Sequence, residues 1–384
     1  MSRFKTRIHL SGITLLIFAT GACAQSSATL YGTVDDGLQY VNNSGGPRQI
    51  NMQNGALGSS KWGLLGSEDL GGGMKAIFRL ENGFDPNSGK FGSSGYMFNR
   101  QAYVGMEGPF GSLKIGRQYD LSYLDAIGNL AAPNRLGGGM AAHAGDVDNL
   151  WGSSNIQNAV KYISPDLYGA RVGGLYGFGN AAGGLSQRQV INFIGTFARG
   201  PVLLAAGYLR VNNPATSIWG GAADPVANTT FVDPLSNPIF SGYASARTYQ
   251  TVDVAGSYTY GPASLGLVYS EASFQNVVRT SSTPFSGTAI FRTGEANMTY
   301  QITPALKTGI AASYTSSDTA HYLQIDSGTT YSLSKSTLLY LVGVWEHASG
   351  TNSLGNPAVA NINGLSTSTT QNQVGVRVGM RHNF

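Results

Sequence analysis

Past residue 24 the sequence holds four histidines, His143, His321, His347 and His382, and no cysteine. A serine hydrolase needs a histidine placed between a serine and an acid. His143 lies in a Gly/Ala-rich stretch and His382 on the apolar side of an alternating segment, and neither has an acid and a serine at a spacing that suggests such a triad. Separated histidines without cysteine also match no metal-ligand spacing. The glycines from Gly177 to Gly184 lack the lysine and following helix of a phosphate-cradling loop, and Asn228-Thr229-Thr230 is a glycosylation acceptor only formally. Neither catalysis nor a cofactor is expected. What remains is fixed charge presented to water: the bases Lys61, Arg79 and Arg100, and the acids Asp120, Asp125, Asp146 and Asp148 of one long polar stretch.

Alternation shows how such charges are carried. Ala76, Phe78 and Leu80 form one face of a period-two segment and Lys75, Arg79 and Glu81 the other; Lys61 stands opposite Trp62 in the same sense. From Gln373 to Phe384, Val374, Val376, Val378, Met380, His382 and Phe384 share one face, and Arg377 and Arg381 the other. A face with two arginines is costly in hydrocarbon and cheap in a wet lumen, so the valine face must look outward.

The N-terminus reads as an export signal. Arg3, Lys5 and Arg7 precede the apolar run Ile13 to Ala19, and Ala22-Cys23-Ala24 has the small-x-small form of a cleavage site. The apolar run is short of the ~20 residues that span a bilayer as helix. Cys23 as a lipid acceptor is disfavoured by Thr20, where such signals usually carry leucine. Cleavage after residue 24 removes three cations and no acid, so the formal charge of +4 falls to +1. No basic footprint for nucleic acid is left.

The composition is strand-like, with 53 glycines, 20 tyrosines and only 11 % charged residues. After the leader no window has 18 consecutive apolar residues, so membrane entry would require a closed barrel. Seven short turns, Glu68–Gly73, Glu107–Ser112, Ser164–Ala170, Ala198–Pro201, Tyr260–Ala263, Ile302–Ala305 and Ser332–Ser336, alternate with longer polar stretches. Seven short turns on the side of both termini and eight long loops opposite predict an all-β fold. It is a sixteen-stranded antiparallel transmembrane barrel over residues 25–384, with about ten strand residues per crossing.

Several blocks resemble the general porins of Gram-negative bacteria, especially their β-proteobacterial branch: LYGTVDDGLQY from Leu30, SSKWGLLGSEDLGGGMKAIFRLENGF from Ser59, FNRQAYVGMEGPFGSLKIGRQYD from Phe98, NAVKYISPDLYG from Asn158, SLSKSTLLY from Ser332 and the ending GMRHNF. The resemblance implies an outer-membrane homotrimer, embedded in lipid, that passes small hydrophilic solutes and ions. It also implies a third long loop, residues 120–156, folded inward so that its acids face bases on the wall. Arg100 is taken as inward on this resemblance, because the alternation Ala102, Val104 against Gln101, Tyr103, Gly105 is ambiguous. Terminal Phe384 resembles the assembly signal of the class. Lys61, Arg79 and Arg100 either line the constriction or merely solvate the lumen. Leu65, and the lack of an arginine just before Asn158, depart from the family and point to modest selectivity, with a lean toward anions.

Asp36 and Arg117 fall by alternation on the outward face, where a bare charge at the midplane costs about 2–4 kcal/mol for a cation and less for an acid. They sit near the water interface, lie under a neighbouring subunit, or mark an error of register. The alternative functions are a substrate-specific channel, with Tyr119, Tyr123, Trp151 and Trp219 as stacking surfaces, and a plugged barrel, suggested by the two apolar faces of Leu338 to Trp345.

Overall fold

The computed structural model describes residues 26–93 and 95–384; the expected export signal, residues 1–24, lies outside them. Seventeen strand segments form one sheet: β1 (Ser27–Val41), β2 (Gln49–Asn54), β3 (Lys61–Gly71), β4 (Met74–Gly83), β5 (Gln101–Gly108), β6 (Gly111–Gln118), β7 (Ile156–Ile163), β8 (Ala170–Gly177), β9 (Val190–Arg199), β10 (Val202–Asn212), β11 (Thr248–Tyr260), β12 (Ala263–Val277), β13 (Gly287–Gln301), β14 (Leu306–Ser316), β15 (Ala320–Ser332), β16 (Thr337–Gly350) and β17 (Asn372–Asn383). Each pairs antiparallel with its neighbour, and β1 pairs with β17, so no edge is left open.

Seventeen segments make sixteen staves, as the alternation predicts. β2 pairs with Asp36–Val41 of β1 and β3 with Ser27–Thr33, so the two are halves of one crossing interrupted by residues 55–60. Asp35 holds the interruption. Its backbone oxygen accepts from Gly55 N at 2.8 Å and from Ser60 Oγ at 3.1 Å. Its carboxylate accepts from Ala56 N at 3.1 Å, Leu57 N at 3.0 Å and Tyr340 OH at 2.8 Å.

All seven short turns fall between the strands they were expected to join. On the opposite side one connection differs from expectation: that between β14 and β15 is only Ser317–Thr319, so the wall is low there. Outward positions are apolar and exposed, as at Val378 and Met380, and Arg377, next to Val378, is buried on the inner side. The two apolar faces of β16 are also explained. Tyr340, Val342 and Val344 pack inward against Met140 and Ile362 from two of the long connections, and Leu339 and Leu341 face out.

The chain end closes the seam. Phe384 exchanges backbone hydrogen bonds of 3.0 and 3.1 Å with Gly32 of β1. A Cβ on Gly32 would stand 2.3 Å from the Phe384 ring and 2.7 Å from the Lys61 carbonyl, so only glycine fits. Gly32→Val is expected to overpack this seam by about 1–3 kcal/mol and to lower the temperature at which the folded barrel's gel mobility is lost; unchanged heat resistance would refute this packing.

Candidate functional site

The lumen is narrowed by the connection between β6 and β7, residues 119–155, which folds inward rather than out. Its apolar residues Leu121, Ile127, Leu130, Val147 and Leu150 are buried with Ile194, Leu209 and Val268 of the wall. Burying a side chain of this size stabilises by roughly 1.5–3 kcal/mol, so the loop is fixed to the wall on the β9 to β13 side. A second anchor lies at the β2/β3 interruption, where Gly139 N donates to Ala56 O at 3.1 Å. Gly138 takes a φ of 60° there, and a Cβ on it would fall 1.6 Å from the Ala56 oxygen.

Polar groups complete the docking. His143 is buried between two carboxylates, with Nδ1 2.6 Å from Asp148 Oδ2 and Nε2 3.0 Å from Glu295 Oε2 of β13. Ser270 of β12 donates to Asp148 at 2.5 Å, and Ala132 N donates to Glu295 at 3.0 Å. This places a serine, an acid and a histidine together, which sequence spacing did not show. The serine bonds the acid and not the imidazole, and all three are buried, so no nucleophile is activated.

What this docking leaves open is a cavity of about 520 Å³ between the loop and the opposite wall. Lys61, Arg100 and Arg381 line it on the wall side, and Tyr119, Tyr123, Trp151, Asn134 and Asn155 on the loop side. Glu81 lies behind the bases, accepting from Arg100 Nε at 2.9 Å and Tyr31 OH at 2.7 Å, with Lys61 Nζ 3.8 Å away. Its side chain is only 2 % exposed, so the open surface carries the cations. Arg79 points inward beside it, its guanidinium 5.4 Å from the Tyr31 ring centre. Arg100 points inward too, but not by alternation. Val104 is exposed to the outside, Gln101 is buried within, and Arg100 precedes the strand, where the period-two rule no longer applies.

The loop acids do not face these bases as the resemblance implied. Asp120 accepts from Tyr123 N at 2.8 Å and Asn149 Nδ2 at 2.7 Å. Asp146 accepts from Trp151 N at 2.8 Å and Ser153 N at 3.1 Å. Asp148 is held by His143, and Asp125 pairs with Lys161 Nζ of β7 at 2.9 Å. A tightly folded loop has many backbone N–H groups to satisfy, and its short carboxylates are spent on them and on the docking wall. The aromatic residues also divide. Trp151 and Tyr123 meet edge to face at 6.4 Å beside the opening, but Trp219 packs on Tyr249 and Phe274 away from it.

Burial raises Asp120 to about 6 and Asp146 to about 7, so the stability they give the docked loop is fully present only below the ordinary carboxylate value of about 3.9 and is lost as pH rises from there through the raised values. For His143, burial works against the charged form, but the Asp148 and Glu295 carboxylates outweigh it and hold the imidazolium well above its ordinary range. Its stabilisation is present below about 6.5 and is lost only as pH rises through the elevated value. Asp148 is held below the usual range by His143 against its own burial, so its share is lost only in strong acid. The loop is therefore expected to loosen above neutrality, read as faster protease cleavage at pH 9 than at pH 6 in the folded barrel. Asp146→Asn should flatten that rise, and an Asp146→Asn profile as steep as the parent's would contradict this assignment.

Asp36 and Arg117 do lie on the outer face, so the register reading was sound. Asp36 accepts from Asn87 Nδ2 at 3.0 Å, and Arg117 Nε donates to Asn99 O at 2.7 Å with its guanidinium 5.1 Å from the Tyr96 ring centre. Both are capped by the connection between β4 and β5.

A family model described as Gram-negative porin matches residues 12–351. The chain belongs to this porin family. It is 27 % identical to outer membrane porin protein 32 of Delftia acidovorans over 98 % of this chain and 99 % of that one. With an outer membrane porin protein of Bordetella pertussis it shares 29 % identity over 68 % of each. The barrel superposes on an anion-selective porin from Comamonas acidovorans with a TM-score of 0.71 and 22 % identity, over 94 % of this chain and 100 % of that one. On the trimer form of OmpT of Vibrio cholerae the TM-score is 0.60 at 16 % identity, over 94 % and 99 %. This porin is an outer-membrane channel protein, and its fold is that of channels rather than of enzymes.

Proposed function

We propose that this porin is a trimeric channel for passive diffusion of small hydrophilic solutes and ions with a weak preference for anions. The observation that carries the reading is the lining of the opening: its charged side chains are Lys61, Arg100 and Arg381, all cations. Rings of basic groups favour anions. Partial neutralisation by Glu81 keeps the preference modest. Arg79 extends the cationic wall below the opening, while Asp120, Asp125, Asp146 and Asp148 hold the constriction loop in place. Asp36 and Arg117, under the β4/β5 connection, form part of the subunit contact, and Phe384 serves barrel assembly. The export signal is removed before residue 25. A substrate-specific site is the weaker reading, because Tyr119 is only 4 % exposed and presents little ring to a solute.

Residues 25–384, refolded and added to a planar bilayer, should give large conductance steps in groups of three. Silence from folded protein, or single steps that never group, would contradict the open trimer.

A further inference from the structure

Beside the opening, between two of the inward-packed connections, lies a second cavity of about 220 Å³. Residues 145–154 of the constriction loop close it on one side, and the connection between β10 and β11, residues 213–247, closes it on the other. Its walls are aromatic. Phe274 of β12 and Tyr249 of β11 are buried at the floor, and Trp219 and Phe240 of the connection stand half-buried against them. The Trp219 and Phe240 rings lie 6.0 and 5.8 Å from that of Phe274, at interplanar angles of 30° and 24°. The walls are also fixed in place. Tyr249 OH donates to Val147 O of the constriction loop at 2.8 Å, and Gly145, at a φ of 64°, passes so close to Phe240 that a Cβ on it would stand 3.0 Å from the ring. The chamber is therefore formed before a solute arrives, and filling it needs little reorganisation.

Size and lining restrict what fits. An apolar cavity of roughly 150 Å³ holds one benzene ring, so this chamber takes a single ring with a small substituent. Flat aromatic walls favour a flat aromatic guest. A saccharide of the same size would bring hydroxyls that find few partners. Asp146 already accepts from Trp151 N and Ser153 N, and the Asn149 amide bonds Asp120 and Ser154 N. The way out is polar and cationic. Ser153 lines both this chamber and the opening, so a substituent leaving past Ser153 meets the space lined by Lys61, Arg100 and Arg381. A carboxylate on the ring is best placed there, turned away from Asp146.

We infer that this side chamber holds the ring of a one-ring aromatic carboxylate, with the carboxylate at Ser153 facing the cationic opening; its orientation rests on the anion preference proposed above. Small ions pass without entering the chamber, so the site modulates a general channel and does not decide what the channel passes. A seated solute leaves its charge in the mouth of the opening and interrupts the current while it stays.

The test is single-channel recording of residues 25–384 in potassium chloride near neutral pH, with sodium benzoate added to both sides and sodium acetate as the probe of equal charge without a ring. Two variants alter the chamber: Trp219→Ala removes a wall and Leu235→Trp fills the space, and neither position lines the opening. Benzoate should interrupt the parent's current briefly and saturably, and acetate should not. Each variant should keep the parent's conductance in chloride and need about tenfold more benzoate for the same interruption. Equal interruption of parent and variants, none in the parent, or acetate as effective as benzoate would each overturn the proposal. The anion preference is read separately, from the zero-current potential in potassium chloride alone, so a failed chamber and a failed reading of the opening are told apart.

Discussion

A His143→Ala barrel should still close but should lose its fixed constriction. The imidazole is shared by Asp148 on the loop and Glu295 on β13, at 2.6 and 3.0 Å, with both carboxylate side chains fully buried. Removing one partner of a buried ion pair costs about 3–5 kcal/mol, because the remaining charge has neither water nor partner. The strands are held by their own ladders, so strand content and heat-resistant gel mobility should persist while the loop loosens. In a bilayer the variant should show rapid current fluctuations in place of quiet steps. Adding Asp148→Asn and Glu295→Gln removes the stranded charge and should restore much of the quiet conductance. Quiet, parent-sized steps from His143→Ala alone would show that the imidazole does not fix the loop.

The second large effect is expected from inverting charge at Lys61 and Arg381 together. Both line the opening, and although Lys61 stands 3.8 Å from Glu81, that carboxylate keeps its shorter bond of 2.9 Å from Arg100, so the barrel can tolerate their loss. Lys61→Glu with Arg381→Glu leaves one lining cation, Arg100, against two acids. The ionic preference should change sign toward cations. The effect should be large near 0.1 M salt, where screening extends about 10 Å, and should shrink near 1 M, where it extends about 3 Å. A double variant with the parent's sign at low salt would mean that selectivity is set elsewhere in the lumen.

Much of this architecture was legible in the sequence because a strand reports its own two faces. Lys75, Arg79 and Glu81, and separately Arg377 and Arg381, are inward by a rule that needs no knowledge of neighbouring strands. The seven short turns carry their own local signals. Illegible were the features that depend on partners distant in the chain. The interruption at residues 55–60 makes sense only around Asp35, and β2 alone would pass for part of a loop. The loop acids share types and spacings with pore-facing acids, and only the folded loop shows that backbone amides take up Asp120 and Asp146. Glu295 is inward by the same alternation, between outward Gly294 and Ala296, but its tie to His143 spans 152 positions. Arg100 shows the limit of the rule itself, since its direction is set by an irregular backbone before β5 and by Glu81.

The account rests on a cationic opening, so the most direct test is the zero-current potential of the unmodified protein across a bilayer under a potassium chloride gradient at low salt. A small potential of the sign produced by chloride moving faster than potassium is predicted. A potential of the opposite sign, from folded and conducting protein, would contradict the claim that Lys61, Arg100 and Arg381 govern the pore.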